Sequence, residues 1–161
     1  WVKDRSCGTF TKIYSRIRFK SGDSFLKRKY SPDQILGYAC NGQVYETVPL
    51  YEETAFFSFR YHVDENCDRS FLRLVSRNGP LSYYHWEYVD AESNYLDYIP
   101  LFYLYDSNQM VRVTQGILGL KKKRLSEYFF HCPELVDAIY SRKVDEIQEV
   151  YDFYLTHCAD L

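Results

Sequence analysis

The order of elements along this 161-residue chain predicts an α+β fold: a curved antiparallel sheet or partly closed β-barrel over residues 1–118, followed by a short C-terminal helical segment over 119–161. Three observations carry this. Apolar and polar residues alternate through most of the chain before Gly119, the period of a half-buried strand. Asn41-Gly42 and Asn78-Gly79 each stand between two such runs, where Asn-Gly favours a hairpin turn. Beyond Gly119 apolar residues recur at intervals of three and four, the spacing of one helix face. A chain of this length buries a sufficient core as one domain without staples, so 1–161 reads as a single domain of about seven to ten strands.

Composition narrows the function classes. Seventeen tyrosines against one methionine, with 19% aromatic residues, suit a sheet with one hydrated face, because Tyr packs its ring and keeps its hydroxyl wet. A formal charge of −2 supplies no global field for nucleic acid or anionic lipid, so no nucleic-acid partner is expected. The longest apolar run, Tyr98 to Tyr105, is strand-length and holds Pro100, so no membrane span is expected. The chain begins at Trp1, as one trimmed of a leader would; a boundary chosen for expression explains it equally well.

The five cysteines, Cys7, Cys40, Cys67, Cys132 and Cys158, form no C-x-x-C pair, so neither a zinc ribbon nor a thioredoxin-type motif is expected. An odd count excludes complete intramolecular pairing. Free thiols are the leading reading, with one or two bridges in an oxidising compartment as the alternative. No cofactor signature is present.

The elements follow in order. Thr9 to Phe19 alternates as a strand, with Ile13, Ile17 and Phe19 on one face and Lys12, Arg16 and Arg18 on the other. Ser21-Gly22-Asp23 turns the chain into a strand from Ser24 to Tyr30. Ser31-Pro32-Asp33-Gln34 is a helix-start signal with Gln34 placed for a capping box, though Gly37 allows only one turn. Leu36 to Cys40 and Gln43 to Tyr51 then flank Asn41-Gly42. Ala55 to Val63 alternates, Phe57, Phe59, Tyr61 and Val63 opposing Ser58, Arg60 and His62, and Asp64 to Arg69 is a loop. Phe71 to Val75 and Leu81 to Val89 flank Asn78-Gly79, with Pro80 at a strand start that needs no ladder donor. Tyr95 to Tyr105 is nearly continuous in apolar residues, as for a central strand covered on both faces, and Gln109 to Thr114 follows. Ser126 is the expected N-cap of a short helix ending near His131. Pro133 opens a second helix to about Arg142, and Val144 to Cys158 forms a third, with Ile147, Val150, Tyr151, Tyr154 and Cys158 on one stripe.

With these elements placed, Ile17-Arg18-Phe19-Lys20, Tyr30-Ser31-Pro32-Asp33-Gln34-Ile35-Leu36-Gly37-Tyr38 and Gly42-Gln43-Val44-Tyr45-Glu46 resemble a pattern in uncharacterised small exported proteins of Gram-negative gut and environmental bacteria. Leu125-Ser126-Glu127-Tyr128-Phe129, and Cys132-Pro133-Glu134-Leu135-Val136 through to Tyr151, resemble their closing segment. The resemblance implies an export signal and hence a periplasmic or cell-envelope location. It brings no activity, ligand or catalytic residue.

Four groups of residues are candidates for function. His62-Val63-Asp64 and His85-Trp86-Glu87 each place an imidazole and a carboxylate on one strand face, so His62, His85 and Glu87 would form a two-His-one-carboxylate metal site if the strands brought them together; otherwise they are polar residues on a wet face. Cys132, ahead of a helix beside His131, is a candidate nucleophile, or a small buried thiol. Lys121 to Arg124 is the one dense basic run, either a solvated connector or a patch for a phosphate, lipid headgroup or acidic partner. Tyr84, Trp86 and Tyr88 share a strand face and form either a stacking platform for a ligand or part of the core under the helices. The function that fits best is a non-catalytic cell-envelope binding or structural module for a glycan, peptide or partner protein, with Tyr84, Trp86 and Tyr88 as the ligand-binding residues. The alternative is a metal-dependent or cysteine hydrolase.

Overall fold

The computed structural model describes residues 2–4, 16–20, 27–55, 58–90, 92–105 and 107–159. Among these the strands are β1 (Val2–Asp4), β2 (Ile17–Lys20), β3 (Lys27–Tyr30), β4 (Gly37–Cys40), β5 (Gln43–Ala55), β6 (Ser58–Val63), β7 (Arg69–Asn78), β8 (Leu81–Val89), β9 (Leu96–Leu104) and β10 (Gln109–Arg112). The helices are α1 (Lys122–Tyr128), α2 (Pro133–Tyr140) and α3 (Ile147–His157), with 3₁₀ turns at Pro32–Gln34 and Gly116–Leu118. The main sheet runs β1-β4-β5-β6-β10-β9-β8-β7, and β5 pairs again with β7. Six strands, β5 to β10, therefore form a closed antiparallel barrel. Strand β4 extends it from β5, β1 lies parallel to β4, and β2 and β3 form a separate antiparallel pair. An α+β fold with helices last is thus what the chain adopts.

Closure depends on the length of β5. Its residues Val44–Pro49 pair with β7, Val44 opposite Leu74 and Pro49 opposite Arg69, while Gln43–Glu46 also pair with β4. The Asn41-Gly42 turn sets the β4–β5 register: both residues have positive φ, 49° and 78°, as a two-residue type I′ loop demands. The second hairpin differs from expectation. Its loop is Gly79-Pro80, between β7 ending at Asn78 and β8 beginning at Leu81, and only Gly79 has positive φ, at 52°. A positive first central residue followed by a φ-locked Pro is the II′ pattern.

Several boundaries also move. Thr9–Ser15, Ser21-Gly22-Asp23 and Phe57 lie outside the described residues. Ala55 ends β5 instead of opening the next strand. Only Pro100, Leu101 and Phe102 of β9 are buried, and its first half is exposed, so this strand is not covered on both faces throughout. Ser126 lies inside α1, its hydroxyl donating to the Lys122 carbonyl at 2.8 Å. That i−4 bond satisfies the Ser hydroxyl inside the helix without capping it, and the good helix formers Lys122 to Arg124 start the helix earlier than the cap signal implied.

The chain divides into two compact units. The first comprises the described residues of Trp1–Tyr51, Val63–Val75 and His85–Ile99, and the second those of Glu52–His62, Ser76–Tyr84 and Pro100–Leu161. In the first, Ile17, Tyr38, Cys40, Tyr45 and Phe71 form the apolar core. Tyr38 and Tyr45 face each other across β4–β5 and stack at 4.6 Å, with Phe71 edge-on to Tyr38 at 5.0 Å; such cross-strand aromatic pairs stabilise a sheet beyond the area they bury. In the second, Leu81, Tyr83, Phe102, Val111 and Val113 of the strands meet Leu125, Phe129, Leu135, Ile139, Val150, Tyr151 and Tyr154 of the helices. The apolar stripes of α2 and α3 thus lie on the sheet, as their periodicity implies.

Cysteine pairing departs from the free-thiol reading. Cys132 and Cys158 form a disulfide across 26 residues, Cys40 is disulfide-bonded too, and Cys67 is a free thiol. The spacing hid this because the bridge joins residues brought together only when α2 and α3 pack.

Candidate functional site

In the first unit, strand alternation points Tyr45 and Arg73 to one side of the β5–β7 pair, where they stand opposite each other. His85 and Glu87 lie two residues apart on β8 and therefore share a face. Both are buried, at 7% and 5% exposure. Arg73 Nε lies 2.7 Å from Glu87 Oε1, the Tyr45 hydroxyl donates to Glu87 Oε2 at 3.0 Å, and Arg73 Nη2 bonds His85 Nδ1. Tyr98 stacks on the imidazole at 3.8 Å between centroids. Burial, and then the neighbouring guanidinium, lower the His85 pKa from 6.5 to about 4, so the ring is neutral and accepts from Arg73 through Nδ1. Burial and the Glu87 carboxylate push the Tyr45 phenol well above its ordinary value. Each charge is matched, and this is the condition under which a buried ionic group is tolerated. With the His85 pKa lowered to about 4 and the Tyr45 phenol raised, neither of these two groups is poised to exchange a proton near neutral pH.

This geometry corrects the metal-site reading. Among the described residues no three His, Cys, Asp or Glu side chains gather in a way that could hold a metal ion. His62 bonds Glu53 at 3.1 Å, and Asp64 accepts from the Asn66 backbone and side chain at 2.8 Å, closing the turn after β6. The nucleophile reading of Cys132 fails as well, because its sulfur is in the disulfide and the His131 imidazole lies 3.2 Å from the Tyr154 hydroxyl.

The three platform residues differ in exposure. Tyr84 is buried, at 2%, and its hydroxyl bonds Arg77. Trp86 is half-buried, and Tyr88 is 38% exposed with its hydroxyl on Asp97 at 3.0 Å. Only Trp86 and Tyr88 have ring surface to offer.

The second unit holds a cavity of about 590 Å³ walled by β6, the β9–β10 connection, β10 and α1, within the roughly 300–1,000 Å³ of small-molecule sites. Its apolar wall includes Phe59, Leu104, Met110 and Phe130. Phe130 is 78% exposed. The Tyr128 hydroxyl takes the Leu104 amide at 2.8 Å and gives its proton to the Gln109 carbonyl at 3.0 Å, and burial raises its pKa to about 12. Arg112 is braced by the Thr114 carbonyl, which accepts from Nε at 2.8 Å, and burial, then the nearby Glu52 carboxylate, raise the Tyr61 phenol well above its ordinary value. Arg60, Lys121, Arg124 and Glu127 also face the space. Sequence reasoning singled out Lys121 to Arg124 but missed Arg60, Arg112, Phe59 and Phe130, which strand pairing and helix docking bring to one space. Comparison of the chain with family models, with curated proteins and with solved structures finds no match.

Proposed function

We propose that the chain is a non-catalytic binding module of the cell envelope and that the cavity of its second unit receives the ligand. The observation carrying this reading is the cavity itself: ligand-sized, mostly apolar, with a few polar groups fixed by hydrogen bonds, as binding sites are built. Disulfide bonding at Cys40, Cys132 and Cys158 supports an oxidising compartment, in keeping with the exported proteins this sequence resembles. A hydrolase draws no support from His62, His85, Glu87 or Cys132, each of which is engaged elsewhere.

The test is an amide NMR titration of the intact protein against a panel of sugars, short peptides and small organic molecules. The reading expects saturable shifts clustered at Leu104, Met110, Tyr128 and Phe130. Shifts confined to Trp86 and Tyr88 would move the site to that strand face, and enzymatic turnover of any panel member would overturn the non-catalytic reading. Alkylation of the native protein that labels Cys67 but spares Cys40, Cys132 and Cys158 would agree with export; labelling of all four would speak against it.

A further inference from the structure

Resting on the cavity as the ligand site, we propose that the bound molecule carries an anionic oxygen group, a carboxylate or phosphate, on an aromatic or apolar body. The charge at the cavity wall points there first. Four cations, Arg60, Arg112, Lys121 and Arg124, face the space, against one lining carboxylate, Glu127. Glu127 is already engaged, with Arg124 Nη1 at 3.1 Å from its Oε2. This surplus is local, since the chain as a whole carries −2.

Lys121 gives the sharpest signal. Among the described residues no carboxylate pairs with it, whereas the next lysine, Lys122, is used structurally, its Nζ donating to the Ile139 carbonyl at 2.9 Å. Partial burial and then the guanidiniums of Arg112 and Arg124 hold the Lys121 pKa below the ordinary lysine value. An ammonium kept beside two guanidiniums is unfavourable unless an anion completes the group. Arg112 is preorganised to contribute: Thr114 fixes its Nε, and a guanidinium has five donors in a planar fork that matches carboxylate and phosphate oxygens.

The second half of the inference comes from the rings. Phe59 and Phe130 line the same cavity with 38% and 78% of their surface exposed. A bare inorganic anion would leave them wet, whereas a ligand with an aromatic or apolar body would cover them and meet the cations with its charged end.

Calorimetric and NMR titrations of the full chain with phenyl phosphate, phenylacetate, inorganic phosphate and benzyl alcohol test this. Phenyl phosphate or phenylacetate is expected to bind roughly tenfold or more tighter than either inorganic phosphate or benzyl alcohol, less so at high salt. Whichever of the two binds better distinguishes a phosphate from a carboxylate. Lys121→Gln should weaken it several-fold, by roughly the strength of one charge-assisted contact, with recovery in Lys121→Arg and no change in Lys123→Gln, which alters an exposed residue. Phe130→Ala should remove the advantage of the ring while leaving inorganic phosphate unchanged. Benzyl alcohol binding as well as phenyl phosphate, indifferent to Lys121→Gln, would overturn the anion inference and leave the cavity standing as a ligand site. Shifts by no probe at any cavity residue would overturn both.

Discussion

Arg73 Nε and Glu87 Oε1 lie 2.7 Å apart, with the carboxylate side chain only 5% exposed, and Tyr45 donates to the second carboxylate oxygen. Removing one partner strands a buried charge, whereas removing both strands none. Glu87→Gln is therefore expected to cost roughly 3–5 kcal/mol, and Arg73→Leu combined with Glu87→Leu less than Glu87→Gln alone. Urea unfolding of these variants, with Arg73→Leu and Glu87→Leu singly, measures this; a double variant as unstable as the sum of the two leucine singles would mean that the pair is not coupled.

His85 sets a pH dependence. Its pKa in the fold, about 4, lies below the ordinary 6.5, so on acidification the unfolded chain takes up the proton first. The contribution is complete above pH 6.5, declines as the pH falls from 6.5 towards 4, and is lost below, on the order of 3 kcal/mol in all. His85→Gln should flatten that part of the stability–pH curve. A His85 imidazole titrating near 6.5 by NMR in the native protein would contradict the buried neutral ring.

Gly37 sits where β4 and β5 approach closely. A Cβ there would clash with the Tyr45 carbonyl oxygen, and backbone cannot yield as a side chain can. Gly37→Ala is expected to destabilise by roughly 1–3 kcal/mol, and thermal unfolding reads it. Asn41-Gly42 next to it is sensitive for a different reason, φ rather than space, so Gly42→Val should cost about 1 kcal/mol or more. A neutral result at Gly37 would mean that β4 and β5 stand further apart than this contact implies.

The helical tail is part of a core. Leu135, Ile139, Val150, Tyr151 and Tyr154 are each at most 4% exposed and pack with Leu81, Tyr83 and Phe102. Burying large side chains at roughly 1.5–3 kcal/mol each rivals a net stability of about 5–15 kcal/mol. Deletion of Pro133 to Leu161 should therefore abolish the parent's cooperative thermal transition. Reduction of the Cys132–Cys158 bridge is milder, about 3–4 kcal/mol from loop closure. A truncated chain melting cooperatively near the parent temperature would make the tail a detachable arm.

What was legible in the sequence was local. Asn41-Gly42, the Ser31–Gln34 capping box with its Ser31 amide on Gln34 Oε1 at 3.0 Å, and the stripe of α3 were readable because each depends on residues a few positions apart. The β5–β7 pairing that closes the barrel joins strands that are not neighbours in sequence, and alternation says which face a residue takes but not which strand it meets. For the same reason His85 and Glu87 were singled out without their actual partners, Arg73 and Tyr45, and the basic run was seen without the strand arginines that share its cavity.

The Tyr128 phenol bridges the Leu104 amide and the Gln109 carbonyl, a donor and an acceptor on either side of the β9–β10 connection. A side chain from α1 thereby does what a ladder bond would do, and that amide is shielded from solvent only while the helix is seated. Deuterium uptake at the Leu104 amide is then a clock for the undocking of α1, separate from global unfolding. Because Tyr128 also walls the cavity, a ligand that closes over it should slow that clock, turning one backbone proton into a reporter of occupancy.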